Sequence, residues 1–412
     1  MKKAGIITVG NELLSGYTVD TNAAYLGRHL WDLGVPLTMT LTVPDEIETI
    51  VTALERASSD ADLILVTGGL GPTDDDLTRY GLARFLGVDL YSEEKYISHV
   101  RQFFAQRGVD MPERNVIQAQ FPLGTTGIDN LHGTAPGILA RQGDTVIVAM
   151  PGVPSEMKAM FETAVMPLAR ELAGNGHVTI KRLRCFGVGE SMLVERLGDR
   201  MVRGRNPLIN CTVDHGLITL HVIAHAQKKE QADRLVDADV ATLRAELGNL
   251  VFGQDNQTLA EVIGKSLRRQ GKTVATAESC TGGLIAKLLT DCPGASDYFN
   301  QGWITYSNDA KVRLLDVPLE MLENHGAVSE PVAAALAQSA QRIAGADYAL
   351  AVTGIAGPGG GALDKPVGLV FIGLCTPKEC RVERFQFARD RSFVRFRTAQ
   401  TALNLLRQAL LF

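Results

Sequence analysis

A serine placed between a buried strand and a helix is the first feature of this chain that could do chemistry. Thr273–Ala277 alternates β-branched and small residues, as a buried strand of a parallel sheet does. Glu278-Ser279-Cys280-Thr281-Gly282-Gly283 then turns the chain, and Leu284–Leu289 continues at helical period. A hydroxyl at Ser279 would therefore face unpaired backbone N–H groups and the positive end of a helix dipole. Two readings are open here. Those N–H groups stabilise an oxyanion formed at the serine, or Ser279 or Thr281 merely caps the helix.

A serine needs a base to attack a carbonyl. The last 156 residues, 257–412, hold one histidine, His325, in an Asn-His-Gly that reads as a helix C-terminus. Lysine is the other option, once burial or a neighbouring cation lowers its pKa. Lys311 follows a strand that ends in Thr305-Tyr306-Ser307. Strand ends gather at one edge of a parallel sheet, so Ser279, Tyr306 and Lys311 are expected to meet there. The result would be a metal-free Ser–Lys dyad with a tyrosine to relay a proton. Cys280 is the competing nucleophile; no Cys–His pairing is evident, and it reads as a small buried thiol. The apolar strand Tyr348–Thr353 runs into the loop Gly354–Gly361, which is expected to approach a ribose or phosphate. A tight crossover loop is the bland alternative.

The first half carries a second set of loops. Apolar strands at Ala4–Val9, Leu63–Thr67 and Thr145–Met150 run into Gly10-Asn11-Glu12, Gly68–Asp76 and Pro151–Glu156. Gly133-Thr134-Ala135-Pro136-Gly137 is a fourth candidate. Ligands of open α/β sheets sit at the carboxyl ends of the strands. Glycines let backbone approach a phosphate, and helix-start N–H groups bind its oxygens. Asp74, Asp75 and Asp76 beside such a loop could hold a hard divalent cation, or could only complement a helix dipole.

The elements that position these residues alternate in type. Helices are expected from Asp20, as N-cap, to about Leu33, over Glu46–Ala57, up to Leu86, over Ser92–Gly108 and Glu113–Ala119, and from Pro154 to about Leu172. A further strand is expected at Leu37–Val43. This describes a three-layer α/β domain with a largely parallel sheet. Gly174-Asn175-Gly176 punctuates the chain. Beyond it, strand Thr179–Phe186, helix Gly189–Asp199, a hairpin of Leu208–Val213 and Leu217–Ala224, and helix Lys228–Leu247 form a small α+β module. His215, His221 and His225 read as surface or sheet-face residues there. Val251–Gln257 reads as a linker. The last part is again α/β with a mixed sheet, from helix Thr258–Gln270 to helix Arg391–Leu411. The expected fold class is α/β, two three-layer α/β domains joined by the small module, with boundaries at 1–173, 177–250 and 257–412.

Bulk properties bound the function. The 412 residues are 45% hydrophobic and 21% charged, with a net charge of −5, and the pI near 6.0 gives no bulk attraction to nucleic acid or an anionic membrane. The short basic clusters, Lys181-Arg182 with Arg184 and Arg389 to Arg397, read as solvated faces. Six cysteines show no CxxC spacing, which argues against a zinc site or a disulfide framework and for a reducing compartment. No run of ~18 apolar residues exists, and Ala4–Val9 is too short for a signal peptide core. A cytoplasmic protein is expected.

At this point the residues resemble a family. The last domain is similar to the CinA C-terminal domain, the nicotinamide-nucleotide amidase called PncC. The motifs are A-E-S-C-T-G-G at 277–283, T-Y-S-N-D-A-K at 305–311 and T-G-I-A-G-P at 353–358, with Pro293–Ser296 and Lys365–Gly368. The first domain resembles the CinA N-terminal domain, related in fold to molybdopterin-binding proteins, through G-N-E-L-L-S-G at 10–16, D-T-N-A at 20–23, G-G-L-G-P-T at 68–73, G-T-A-P-G at 133–137 and P-G-V-P-S-E-M at 151–157. The middle module is similar to the KH-like linker of long CinA proteins.

The resemblance implies hydrolysis of nicotinamide mononucleotide to nicotinate mononucleotide and ammonia. Ser279 would be the nucleophile, Lys311 its base and Tyr306 the proton-shuttling partner, with no cofactor. Thr281, Gly282, Gly283, Thr353, Gly354, Ala356 and Gly357 would bind substrate. In the first domain Asn11, Thr67, Gly68, Gly69, Gly71 and Thr73 would bind a nucleotide such as ADP-ribose. Asp75 and Asp76, with Glu12, Asp20 and Asn22 as neighbours, would hold Mg²⁺, Mn²⁺ or Co²⁺. A homodimer with nucleotide ligands is expected. Two departures stand out. Val116 and Ile117 occupy places where the family carries Arg and Lys, which predicts weakened ADP-ribose cleavage. Gly359 replaces an acidic residue. The rival readings are a metal-dependent ADP-ribose pyrophosphatase as the main activity, and a non-enzymatic binding protein linked to competence or damage.

Overall fold

A computed structural model describes residues 2–174 and 176–411, so Asn175 of the expected punctuation lies outside the described residues. The chain divides into two compact units. One runs up to Thr179 and includes His225–Asp233; the other comprises Ile180–Ala224 and the chain from Arg234 onward.

The first unit is built on a six-stranded sheet. Its order is Leu37–Val43, Ala4–Val9, Leu63–Thr67, Thr145–Met150, Gly137–Gln142, Thr126–Ile128. The first four strands are parallel and the last two antiparallel. Alternate residues of the central strands face opposite layers. Ile6, Leu63, Leu65 and Val148 pack against Leu26 and Leu30 of one helix and Met157 and Phe161 further along. Ile7, Ile64, Val66 and Ile147 pack on the other side against Ile50, Leu54 and Leu82. Burial on both faces explains the unbroken apolar runs. Helix Thr21–Asp32 starts as expected, with the Asp20 carboxylate accepting from the Ala23 N–H at 2.8 Å. Gly10-Asn11-Glu12 is not an open loop, because Asn11–Leu14 forms one helical turn.

A four-stranded sheet, most of it in the second unit, has the order Leu208–Asp214, Leu217–Ala226, His177–Cys185, Val251–Gln254. The expected linker is therefore a strand: Val251–Gln254 pairs antiparallel with Leu183–Cys185 and buries Val251 and Phe252. A five-stranded mixed sheet follows, in the order Phe299–Ile304, Val274–Glu278, Tyr348–Gly354, Leu369–Cys375, Cys380–Gln386. The first three strands are parallel and the last two antiparallel. Val274, Leu350, Val352 and Ile372 face helices Leu259–Gln270, Leu284–Thr290 and Arg391–Ala409. Ala277, Ala349 and Ala351 face helix Glu330–Ala344. Both α/β portions are thus three-layered.

Two readings from composition need correction. Cys375 and Cys380 are joined by a disulfide across the last hairpin; the register puts them directly opposite, which their spacing of five did not reveal. The cluster Arg389 to Arg397 is only partly a solvated face: Arg389 and Arg391 are exposed, but Arg391, Arg395 and Arg397 each donate to a backbone carbonyl. Among the described residues, no helix is long and apolar enough to cross a membrane.

Candidate active site

The central strand Val274–Glu278 delivers Ser279 to the carboxyl edge of its sheet. The Ser279 N–H continues the parallel ladder onto the Val352 carbonyl at 3.0 Å. Gly282 and Gly283 then turn the chain at φ +60 and +90, left-handed values that glycine adopts without strain. The capping alternative for Ser279 fails, because another residue caps the helix. Glu278, fully buried, accepts the N–H of Ile285 at 3.0 Å and that of Ala286 at 2.8 Å. These are the orphan donors of helix Leu284–Thr290. Thr281 does not cap either; its hydroxyl is buried without a partner.

Lys311 lies on helix Asn308–Leu315, which Ser307 caps by accepting from the Ala310 N–H. Its side chain is 1% exposed. Nζ lies 3.3 Å from Ser279 Oγ, 2.8 Å from the Thr305 carbonyl and 3.4 Å from the Tyr306 carbonyl. All three partners are neutral. Burial lowers the lysine pKa, since nothing here compensates the charge of an ammonium. A neutral amine has two N–H donors and one lone pair. The carbonyls of Thr305 and Tyr306 match the donors, and the serine hydroxyl matches the lone pair. The neighbouring Cys280 thiol is pushed up to about 12 by burial, so it is not a thiolate near neutral pH.

The dyad opens into a cavity of about 270 Å³. Thr353, Gly354, Ala356 and Gly357 line it as expected, with Tyr306 and Asn308. Thr281, Gly282 and Gly283 do not; they shape the turn beneath it. Tyr306 is placed differently from the expected relay. Its side chain is 59% exposed, and its hydroxyl accepts from Arg391 Nη2 at 2.8 Å. What Lys311 meets is the tyrosine's carbonyl. The residue that sequence reasoning missed is Arg391, which also donates to the Gly357 carbonyl at 2.8 Å. Its signal was faint: a first-turn arginine behind Asp390, whose carboxylate caps the helix at the Phe393 N–H. Four residues on, Arg395 donates to the Thr281 carbonyl at 2.8 Å and braces the turn. His325 takes no part in lining this cavity; its carbonyl accepts from Lys365.

A second cavity, of about 460 Å³, lies at the strand ends of the first unit, where all four predicted loops contribute to its wall. Thr67, Gly68, Gly69, Gly71 and Thr73 line it, as do Glu12, Asp20, Asn22, Asp75 and Asp76; Asn11 does not. Asn11 instead donates its N–H to Asp45 at 2.9 Å. Val116 and Ile117 are also absent from the wall, though Arg114 on the same segment donates to the Pro72 carbonyl of the loop and pairs with Asp74. Gly68, at φ +105, is required, since a Cβ there would meet the Val9 carbonyl at 2.2 Å.

The loop's polar groups are largely turned inward. Asp76 accepts the N–H of Gly71 at 2.8 Å and of Thr73 at 2.7 Å, and also the Thr73 hydroxyl. Beneath, the buried Arg79 guanidinium donates to the carbonyls of Leu70 and Gly71. Six carboxylates line the cavity, those of Glu12, Asp20, Asp45, Asp75, Asp76 and Glu156, and no Lys, Arg or His does. Burial first, then the charges of Glu12, Asp75 and Asp76, raise the Asp45 pKa. The donors do not form a metal cage, however. Among the described residues no three His, Cys, Asp or Glu side chains are grouped to hold an ion; Asp20, Asp76 and Glu156 each accept a hydrogen bond from the chain itself. Asn22 donates to Thr67 and Gly152, and its Oδ1 is buried with no partner.

Comparison with known proteins matches three families in chain order. Residues 5–171 match the family described as Probable molybdopterin binding domain, residues 180–253 that described as Damage-inducible protein CinA KH domain, and residues 256–410 that described as CinA C-terminal domain. The chain is 40% identical over 406 residues to a CinA-like protein of Dictyoglomus turgidum, covering 98% of each chain. It is 40% identical over 409 residues to a CinA-like protein of Kosmotoga olearia, covering 99% of each. Among solved structures it is similar to the competence/damage inducible protein CihA from Agrobacterium tumefaciens, at 42% identity and a TM-score of 0.37, over 37% of this chain and 94% of that one.

Proposed function

The chain belongs to the CinA family, and on that premise we propose that its last domain is a metal-independent amidohydrolase releasing ammonia from nicotinamide mononucleotide. The observation that carries this reading is the buried lysine amine 3.3 Å from a serine hydroxyl, surrounded by neutral acceptors. Lys311 takes the proton as Ser279 Oγ attacks the amide carbon, giving a tetrahedral oxyanion. The same proton then passes to the amide nitrogen as the C–N bond breaks, so that ammonia leaves and an acyl ester remains on Ser279. Water, deprotonated by Lys311, cleaves the ester to nicotinate mononucleotide and restores Ser279. The N–H of Cys280, the residue after the nucleophile, is a candidate oxyanion donor.

The test is ammonia release from nicotinamide mononucleotide with and without EDTA, in wild type and Ser279→Ala. Release that survives EDTA and vanishes in the variant supports the reading. Release abolished by EDTA points instead to metal chemistry, and no release at all favours a binding protein.

A second site reading is favoured by the unpartnered Asn22 Oδ1 on the wall of the first cavity. That cavity binds a nucleotide such as ADP-ribose, with Asn22 accepting from a ligand hydroxyl or amine. Its acids oppose a free pyrophosphate, so cleavage is slow or absent.

A further inference from the structure

Arg391 and Lys311 are the two basic residues on the wall of the Ser279 cavity, and no carboxylate stands there. Lys311 sits at its buried end with a lowered pKa, which leaves Arg391 as the charge that an incoming ligand meets. The guanidinium donates once to the Gly357 carbonyl and once to the Tyr306 hydroxyl, each at 2.8 Å. Both partners are neutral, so neither offsets its charge. A guanidinium has five N–H donors, and two bonds leave room for more. Its planar fork suits the oxygens of a phosphate better than any other side chain does. The contrast with the first cavity is sharp, since six acids and no cation line that one.

We propose that Arg391 is the subsite for a phosphate monoester on the substrate, and the residue by which this cavity distinguishes a nucleotide from its dephosphorylated nucleoside. The inference rests on the amidase reading of the same cavity. A phosphate on Arg391 would share the guanidinium with the tyrosine hydroxyl, which keeps one of its N–H groups.

The experiment compares nicotinamide mononucleotide with nicotinamide riboside in wild type, Arg391→Gln and Arg391→Lys. Arg391 is exposed at the start of its helix, and thermal melts check that the variants stay folded. Losing a charge-assisted phosphate contact should raise KM for the nucleotide on the order of 10- to 100-fold. KM for the riboside should stay within about threefold, and Arg391→Lys should recover part of the loss. An equal loss on both compounds, or an unchanged preference for the nucleotide, overturns the proposal. If wild type deamidates neither compound, the amidase reading has failed, and the phosphate subsite is read from equilibrium binding. Ser279→Ala should then bind the nucleotide more tightly than the riboside, with the difference lost in Ser279→Ala/Arg391→Gln. Equal binding, or no binding of either, overturns it.

Discussion

Lys311 Nζ and Ser279 Oγ stand 3.3 Å apart, with the remaining valences of the amine directed at the carbonyls of Thr305 and Tyr306. An ammonium could also donate to all three acceptors. Burial decides between the two forms, because no negative charge is supplied to balance the proton. The free lysine value is about 10.4, and the folded value is lower. Activity should therefore rise with pH through that lowered pKa. Lys311→Arg should be nearly inactive, since a guanidinium stays protonated; a pH–rate profile on each protein checks both statements.

The same shift has a consequence for stability. The folded pKa lies below the unfolded one, so between them the unfolded chain binds more protons, and folding stability rises with pH across that window. It is lost as pH falls toward the folded pKa. Lys311→Met keeps an unbranched side chain one atom shorter and removes the titration. Denaturant midpoints at pH 7 and pH 10.5 should show wild type gaining on the variant as pH rises. A difference that stays constant would mean the amine titrates normally in the folded protein.

The approach of Lys311 to Ser279 was legible in the sequence because parallel strands end at one edge. Ser279 and the Thr305–Ser307 segment come from neighbouring strands in register, with Glu278 opposite Ile304. What a strand-end argument cannot give is side-chain direction. Tyr306 contributes its carbonyl to the dyad while its hydroxyl turns to Arg391, a residue 85 positions away. Glu278 was hidden for a related reason. A carboxylate inside an apolar strand reads as a misfit until the helix N–H groups it meets are placed. In the first unit three of the loops were readable as turns after apolar strands, and the fourth, Gly133–Gly137, from its glycines before the strand Gly137–Gln142. That Asp76 serves the loop itself was not, because a carboxylate facing a cation and one facing backbone N–H groups have the same sequence.

Cys280 is the nearest rival to Ser279, and its environment argues against it. Burial pushes the thiol to about 12, which leaves almost no thiolate near neutral pH. Cys280→Ala should keep most of the ammonia release, while Ser279→Ala should lose roughly a thousandfold or more. The reverse outcome would exchange the assignments.

Glu278 should matter for both folding and rate, though it touches no substrate. Its two oxygens hold two helix N–H groups in the core. Glu278→Ala would leave those donors unsatisfied and should destabilise the protein by about 2–4 kcal/mol. Glu278→Gln can accept only through its one oxygen and brings an NH₂ against the second N–H, so it should be little better. Where folded, these variants should show lowered kcat, since the Ser279 turn is loosened, with a pH profile unchanged because Lys311 keeps its surroundings. A shifted profile would instead tie Glu278 electrostatically to the lysine.

The first cavity should bind anions better as pH falls. Asp45 is one of six acids on its wall, and its carboxyl is already held above the usual value by burial and by Glu12, Asp75 and Asp76. It therefore takes up a proton at higher pH than an ordinary carboxylate would, and the cavity loses one negative charge as it does. A bound pyrophosphate would raise that pKa further, so binding and proton uptake are linked. Calorimetry with ADP-ribose in metal-free buffer should show tighter binding at pH 5 than at pH 7.5. Proton uptake should be visible as a buffer-dependent heat. In Asp45→Asn, affinity at pH 7.5 should rise and the pH dependence should flatten, though the amide also alters the contact with the Asn11 N–H. Asn22→Ala supplies the control for location, because its buried Oδ1 awaits a donor from the ligand. If Asp45→Asn leaves both affinity and pH dependence untouched, the ligand does not sense the acids on this wall, and the nucleotide reading of the cavity is lost with it.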